Sequence, residues 1–346
     1  MFRITHLNIG AAPVEIAKTY VSTSASLAAA PTEDFVAVTF GGAALCTVPA
    51  ASATGIPGRA KSDWVYLDIL PETGGGLPLL FLRSYIAAGQ RYQMRGNTSH
   101  PQGDWEDGTG YAQGRIIKVG MLAGDHASDK ATSISNVSFG VNSTEIEYRT
   151  PVKVVNTLTI GDSIAQGDVQ GNTDMLSAGH FACSAKSTKA VPYVNCNMGW
   201  SSQSTSQFCV RWINALDSLA PDIVIYHAFS PNDLPGADPD QDNIDRIEAM
   251  KDRVLAVIQE TRARGIKLIL ANALPYAWSL PVDDARKDYN LWLEGQVGVE
   301  GHAEVADYDI LLSDGESPAA LKAEYTYDDL HPNIDGQKLL ATAIIL

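Results

Sequence analysis

Apolar positions follow two different patterns along the chain, and the change falls near Thr150. Before it, short runs alternate apolar and polar residues between clusters of Gly, Pro, Ser and Asn: Phe35 to Phe40, Trp64 to Ile69, Leu79 to Tyr85, Ile116 to Met121, Val137 to Gly140 and Ile146 to Tyr148. Alternation with period two places one set of side chains on one face of a strand, and no long stretch of helical period competes with it. Residues 1 to 150 are therefore expected to form an all-β accessory domain, an antiparallel sandwich or jelly roll. Trp64 reads as a core strand residue, and Gly74 to Gly76 and Gln90 to Gln113 read as loops.

From residue 151 to 346, strand-sized apolar runs alternate with segments of helical period. Strands are expected at Val154 to Ile160, Tyr193 to Asn197, Ile223 to His227, Ile266 to Ala271 and Glu304 to Tyr308. Helices are expected at Met175 to Lys186, Ser204 to Leu219, Asn243 to Arg264, Asp284 to Val297 and Asp335 to Ile344. Asp242 or Asn243 fits the start of the long third helix and Gly265 its stop. Strand and helix in strict alternation predict an α/β domain with a parallel sheet covered on both faces. In open sheets of that kind, ligands gather at the carboxyl ends of the strands.

Composition narrows the classes of function. With 346 residues, 45% of them hydrophobic, the chain can bury a sizeable core. No stretch approaches the roughly 18 apolar residues that span a bilayer, so a soluble protein without membrane insertion is expected. The opening MFRITHLNIGAAPVEIAKTY lacks the charged and then apolar regions of a secretory signal. Localisation stays open, secretion with a signal outside this sequence included. The net charge of -15 is uneven: residues 1 to 150 carry 11 basic and 13 acidic side chains, residues 151 to 346 carry 14 and 27. Such a field disfavours nucleic acid, anionic lipid and polyanionic substrates and suits a neutral small-molecule or carbohydrate ester. Nothing in the pattern fixes an oligomeric state.

Cys46, Cys183, Cys196 and Cys209 are too few for a disulfide framework and contain no CxxC pair. Cys196 reads as a small buried hydrophobe, and a bridge among Cys183, Cys196 and Cys209 is left open. Asp238, Asp240 and Asp242 alternate as a calcium loop begins, without its glycine or its closing glutamate. His180 and His227 lack ligand spacing and read as packed or solvated. No metal and no cofactor are expected.

The candidate chemistry lies at the ends of the strands. The first strand of the second half runs into Gly161-Asp162-Ser163, where a hydroxyl on the turn can project into a cleft beside free backbone N-H groups. Near the end of the sequence, Tyr327-Asp328-Asp329-Leu330-His331-Pro332-Asn333 sets a carboxylate a turn away from an imidazole, an arrangement in which the carboxylate orients a general base. Asn197-Met198-Gly199-Trp200-Ser201-Ser202 follows the second strand and Ser230-Pro231-Asn232-Asp233 the third. Glycine admits a substrate oxygen close to the backbone and an asparagine amide is a neutral donor, so with the Ser163 N-H they can form an oxyanion hole. Each segment alone has a bland alternative, a surface GDS turn, a capping aspartate or a solvated histidine.

In this order the four segments resemble the conserved blocks of the SGNH (GDSL-like) hydrolases, and the resemblance covers about Val152 to Leu346. It implies a three-layer α/β/α, flavodoxin-like domain with Ser163 as nucleophile and Asp328 and His331 as its partners. Asp328 is favoured by the family's DxxH spacing, with Asp329 as the fallback. The resemblance also implies an oxyanion hole from Ser163, Gly199 and Asn232. One block departs: the family's Gly-x-Asn-Asp is here Ser230-Pro231-Asn232-Asp233, and Pro231 fixes φ and removes a donor. A β-sandwich ahead of such a domain is similar in architecture to certain carbohydrate acetyl esterases, which implies deacetylation of a glycan. A general short-chain esterase or lipase-like enzyme is the alternative, and a glycan-binding module with an inactive hydrolase domain is the reading from another class. Trp200, Tyr276 and Trp278 follow predicted strands and are candidates to wall the substrate pocket, while Trp105 in GDWEDG is a weaker ligand-contact candidate.

Overall fold

The computed structural model describes residues 1–8, 10–22, 36–52, 58–66, 81–86, 95–96, 118–120, 137–141, 144–148, 153–167, 177–188, 190–213, 216–234, 239–297 and 303–346. These divide into two units, one up to Tyr148 and one from Lys153.

The first unit is β-rich: β1 (Phe2–Asn8), β2 (Val14–Ser22), β3 (Val36–Val38), β4 (Cys46–Val48), β5 (Gly58–Lys61), β6 (Phe81–Ile86), β7 (Arg95–Gly96), β8 (Lys118–Gly120), β9 (Val137–Val141) and β10 (Thr144–Tyr148). Every pairing is antiparallel: β1 lies between β10 and β5, β2 takes β3, β4 and β6, and β9 lies between β7 and β8. Phe2, Ile4, Val21, Val38 and Val65 form one small core, and Val14, Ile16, Cys46 and Val48 another.

Four of these strands, β1, β2, β4 and β5, lie outside the alternating runs read from the sequence. β1 buries Thr5, His6 and Asn8 together with Phe2, Ile4 and Leu7, because His6 finds the Thr19 hydroxyl at 3.1 Å. Burial of both faces erases the alternation. The expected core role of Trp64 is corrected: it is only half-buried, with the Arg3 guanidinium 4.5 Å over its ring, and Val65 takes the core position. Arg95–Gly96 pairs with β9 inside a stretch expected to be loop. Gly74 to Gly76 and Trp105 lie outside the described residues.

The second unit is a five-stranded parallel sheet in the order β12-β11-β13-β14-β15, from β11 (Val155–Ile160), β12 (Tyr193–Asn197), β13 (Ile223–His227), β14 (Lys267–Ala271) and β15 (Ala303–Ala306). Its helices are α1 (Ser163–Gln166), α2 (Ala178–Lys186), α3 (Thr205–Ile213), α4 (Leu216–Leu219), α5 (Asp240–Ala263), α6 (Leu280–Gln296), α7 (Tyr308–Leu312) and α8 (Ile334–Ala341).

Alternate strand residues point to opposite faces and so build two cores. Leu158, Ile160, Val224, Tyr226, Leu268 and Leu270 pack with Phe208 and Trp212 of α3, Met250 and Val254 of α5, and Tyr289 and Leu293 of α6. Ile223, Ile225, Ile269 and Ala271 pack with Ala178 and Ala182 of α2, Leu312 of α7 and Leu340 of α8. The result is three layers, helices on both faces of a parallel sheet.

Several boundaries shift from the sequence reading. α5 starts at Asp240, with Pro239 as its cap, so Asp240 and Asp242 sit in the first turn, where carboxylates favour the helix dipole. Gly265 closes the turn after α5 at φ 66. α6 starts at Leu280, with proline in its first turn, where the missing N-H costs nothing. Tyr308, expected at the end of a strand, belongs to α7, because Asp307 accepts the Ile310 N-H and starts a helix.

None of the four cysteines forms a disulfide, and Cys196 is exposed. β12 is an edge strand that leaves Val194 and Cys196 uncovered. Cys183 faces Thr157 from α2 while Cys209 belongs to the core of the opposite face.

Arg286 of α6 is fully buried and binds Asp283 (2.8 Å), Asp309 (2.8 Å) and the Ala273 carbonyl (2.9 Å). Asp283 in turn accepts the Ala319 N-H at 3.0 Å. This cluster ties the segment after β14 to α7 and to the loop at Ala319. Arg286→Ala removes the buried cation that Asp283 and Asp309 share and leaves Asp283 with Lys287 at 2.7 Å, and urea unfolding should register a loss of about 3 kcal/mol.

Candidate active site

β11 runs directly into Gly161, Asp162 and Ser163. Asp162 caps α1 by accepting the Ile164 N-H at 3.0 Å, and Ser163, the first helical residue, is 5% exposed. Two close backbone approaches seat this turn. A Cβ at Gly161 would meet Cβ of His227 at 2.8 Å and Cβ of Ala165 at 2.6 Å. A Cβ at Gly199 would meet the Gln166 nitrogen at 2.3 Å and the Ala165 carbonyl carbon at 2.6 Å. The segment after β12 also hydrogen-bonds alongside, the Trp200 N-H donating to the Gly161 carbonyl at 2.9 Å.

His331 arrives on a tight turn closed by a bridge between Thr326 and Pro332. The Thr326 hydroxyl donates to the His331 carbonyl at 2.9 Å, and the Tyr327 ring stacks on the imidazole at 5.6 Å. Asn333 then caps α8 by accepting the Gly336 N-H. His331 Nε2 lies 2.9 Å from Ser163 Oγ, and His331 Nδ1 lies 2.7 Å from Asp328 Oδ2. Partial burial pushes the Asp328 carboxyl up, but the His331 ring and the N-H groups of His331 and Leu330 outweigh it and hold the group below the usual carboxylate range. The carboxylate that meets the imidazole is that of Asp328. Asp329 occupies a left-handed turn position at φ 62.

Asn232 lies in a 3-10 turn, Pro231–Asp233. Ser230 caps that turn by accepting the Asn232 N-H at 3.2 Å, and Pro231 opens it, where no N-H is needed. The departure at this block is thus a serine cap followed by a proline first residue, a local solution that keeps a turn. The Asn232 amide nitrogen lies 3.2 Å from the Gln203 carbonyl and 3.1 Å from the Ser230 hydroxyl. The Gly199 N-H donates to Asn197 Oδ1 at 2.9 Å. Gly199 therefore holds its N-H on a partner within the chain, and an incoming oxygen has to share or replace that bond, while both internal acceptors of the Asn232 amide lie on one side of its nitrogen.

Tyr276 and Trp278 meet edge to face at 5.0 Å, and Trp278 packs on Phe229 at 5.5 Å. Burial pushes the Tyr276 phenol well above its ordinary pKa, and the carboxylates of Asp162 and Asp328 push it further against the Arg286 charge. His227 is buried and His180 half-buried, and desolvation lowers their pKa values to about 3 and about 4, so both are neutral imidazoles at neutral pH. Among the described residues, no group of three or more His, Cys, Asp or Glu side chains can hold a metal ion, and no helix is long and apolar enough to cross a membrane.

Phe229 and Gln337 escaped the sequence reading. Gln337, 1% exposed, accepts the Ala178 N-H at 2.9 Å and donates to the Ile164 carbonyl at 3.1 Å. It clamps the helix that follows His331 to the helix that begins with Ser163. Its only sequence signal is a position one turn after the Asn333 cap.

A parallel sheet carrying serine, imidazole and carboxylate in hydrogen-bonded series at its carboxyl edge has the equipment of an acyl hydrolase. The sequence model of the GDSL-like Lipase/Acylhydrolase family matches residues 159–339, and the chain belongs to that family of ester hydrolases. Among curated proteins, no sequence match is found. Among solved structures, the chain is similar to a GDSL-like lipase from Bacteroides thetaiotaomicron, with 23% identity over 54% of this chain and 84% of that one and a TM-score of 0.39. It is similar to the lipase Lip_vut3 from a goat rumen metagenome, with 14% identity over 55% and 95% and a TM-score of 0.45. It is also similar to Axe2, an acetylxylan esterase from Geobacillus stearothermophilus, with 18% identity over 55% and 91% and a TM-score of 0.42. Identities this low carry no information on substrate.

Gly199→Ala should displace α1 and with it Ser163, lowering kcat/KM for a p-nitrophenyl ester about 100-fold. Burial raises the Asp162 carboxyl to about 6, against hydrogen bonds from Ser230 and Ile164. A pKa raised in the folded state means the native protein keeps a proton that the unfolded chain has lost. The stability this contributes is complete below the ordinary carboxylate range and is lost as pH rises through about 6. Asp162→Asn should therefore gain stability relative to the wild type between pH ~4 and ~7, read by denaturant melts across that range.

Proposed function

We propose that the chain is a serine esterase that hydrolyses short-chain acyl esters through an acyl-enzyme, with carbohydrate O-acetyl groups as its leading physiological substrate. The observation that carries the reading is the series Ser163 Oγ, His331 Nε2, His331 Nδ1, Asp328 Oδ2, with spacings of 2.9 and 2.7 Å. In the tautomer this series favours, Nδ1-H donates to Asp328 and Nε2 accepts the serine proton.

Ser163 attacks the ester carbonyl while His331 takes its proton, and the same imidazole, now protonated, hands that proton to the departing alcohol. A water then attacks the acyl-enzyme by the reverse sequence and releases the acid. Asp328, held below the usual carboxylate range, keeps a negative charge next to the imidazolium that forms in each step. The oxyanion is received by the Ser163 N-H, the Gly199 N-H and the Asn232 amide, with the Gly199 N-H exchanging its internal partner for the developing charge. That exchange favours the transition state over the ground state, since an anionic oxygen competes for a donor better than a neutral carbonyl does.

Trp200, Tyr276 and Trp278 line the substrate side in this reading, with Phe229 behind Trp278. The carbohydrate assignment rests on the order of the two parts, a β-rich unit ahead of the hydrolase unit. In this proposal residues 1 to 150 form a sandwich-type accessory domain and residues 151 to 346 the catalytic domain. The acidic balance of the second part suits a neutral substrate.

Acid release from acetyl, butyryl and octanoyl p-nitrophenyl esters and from acetylated xylan tests the proposal. Ser163→Ala and His331→Ala should each lower kcat by at least about 1000-fold with the fold retained. A glycan deacetylase releases acetate from xylan and fails on octanoyl ester, while a general esterase shows the opposite preference. Binding to xylan with no turnover of any ester would mark a binding module instead, and full activity in Ser163→Ala would refute the nucleophile.

A further inference from the structure

The Ser230 hydroxyl is fully buried and stands at a junction of four polar atoms: Asp162 Oδ2 at 2.6 Å, the Gln203 carbonyl at 2.9 Å, the Asn232 N-H at 3.2 Å and the Asn232 amide nitrogen at 3.1 Å. It has one proton to give. An ionised Asp162 only accepts, so the Ser230 proton goes to the carboxylate, along the shortest of the four contacts. Ser230 Oγ is then an acceptor towards both nitrogens of Asn232.

The geometry around the Asn232 amide follows from three distances. Its nitrogen lies 3.1 Å from Ser230 Oγ and 3.2 Å from the Gln203 carbonyl, and those two oxygens are 2.9 Å apart. The triangle is nearly equilateral, so both acceptors occupy one narrow sector of the nitrogen, much narrower than the spread between its two hydrogens. One N-H is shared between them in a three-centre bond, and the other is directed elsewhere. The carbonyl of Gln203 accepts only, which fixes nitrogen rather than oxygen on that side of the amide.

We propose that Ser230 is a positioning residue for the ester hydrolysis: its hydroxyl ties the Asn232 amide to the Asp162 carboxylate beside Ser163 and so aims the second amide N-H at the oxyanion. This rests on the reading of Asn232 as an oxyanion donor. Asp162 caps the helix that Ser163 opens, so one hydroxyl refers nucleophile and donor to the same point. The resemblance drawn from the sequence puts glycine here, and glycine has no side chain with which to make this link.

A double-mutant cycle on the full chain, with steady-state hydrolysis of p-nitrophenyl acetate, tests the proposal. Ser230→Ala should lower kcat about 10-fold and leave KM within about twofold, since an aim that matters only once the oxyanion forms acts in the transition state alone. Asn232→Ala should lower kcat about 100-fold or more. In the Asn232→Ala background, Ser230→Ala should cost less than about twofold, because there is no amide left to aim. A merely structural serine would cost the same factor in both backgrounds, and that result overturns the proposal while leaving the donor reading intact. Wild-type kcat in Ser230→Ala overturns it equally. Wild-type kcat in Asn232→Ala overturns the donor reading, and the proposal with it. If Ser230→Ala does not fold, Ser230→Gly removes the same hydroxyl and runs the same cycle.

Discussion

The first turn of α1 is hemmed in by backbone on two sides, and the rest of the site depends on that crowding. Gly161 lies where a side chain would strike His227, and Gly199 lies where one would strike the Gln166 backbone. Neither position has a positive φ, so the requirement is for space and not for an unusual conformation. Because the segments after β11 and β12 touch main chain to main chain, Ser163 cannot drift along the helix axis without pushing a neighbouring loop. Rigid elements, and not long side chains, set the nucleophile's coordinates, as a site that must hold its geometry through two chemical steps demands.

Much of the second unit could be read from the chain because buried parallel strands are short, apolar and bounded. Tyr193–Asn197 and Ile223–His227 have the limits the apolar runs gave them, and the loops that follow them carry the segments singled out for chemistry. What could not be read is what depends on partners far away in sequence. The burial of Thr5, His6 and Asn8 in β1 makes sense only with their receiving groups in place. Gln337 looks like a surface residue of a helix until Ala178 and Ile164 are brought up to it. Cys196 reads as a small buried hydrophobe, yet β12 is an edge strand and leaves it exposed. Phe229 lies between the third strand and the Ser230 segment without a signal of its own, and its contact with Trp278 follows from the packing of two separate loops.

Left-handed backbone at non-glycine residues falls mainly in the loops around the site. Ser202, Ala277 and Asp329 all have φ near +60, and each lies in a loop that carries a candidate residue: Gly199 and Trp200, Tyr276 and Trp278, Asp328 and His331. Each costs on the order of 1 kcal/mol relative to glycine or to an extended residue. The Arg286 cluster and the Gln337 clamp lie next to the strained loops after β14 and before α8, and they supply the rigidity that keeps such conformations occupied. Stability in this unit is thus spent where it fixes direction, and the substitution of Ser-Pro for Gly-x ahead of Asn232 belongs to the same pattern, a turn stiffened by a cap and a ring.

Ser163 and His331 are 168 residues apart in sequence yet share a hydrogen bond. A ribosome delivers the chain from its amino end, so β11, the serine turn, the aromatic loop and the first four parallel strands can all emerge while the imidazole is still missing. On the proposed mechanism the nascent hydrolase is inert until His331 has emerged: the hydroxyl is present without its base, and the turn ahead of α8 has to reach Ser163 before the two meet. The same order of closure makes α8 an element whose undocking would silence the enzyme with the central sheet still folded.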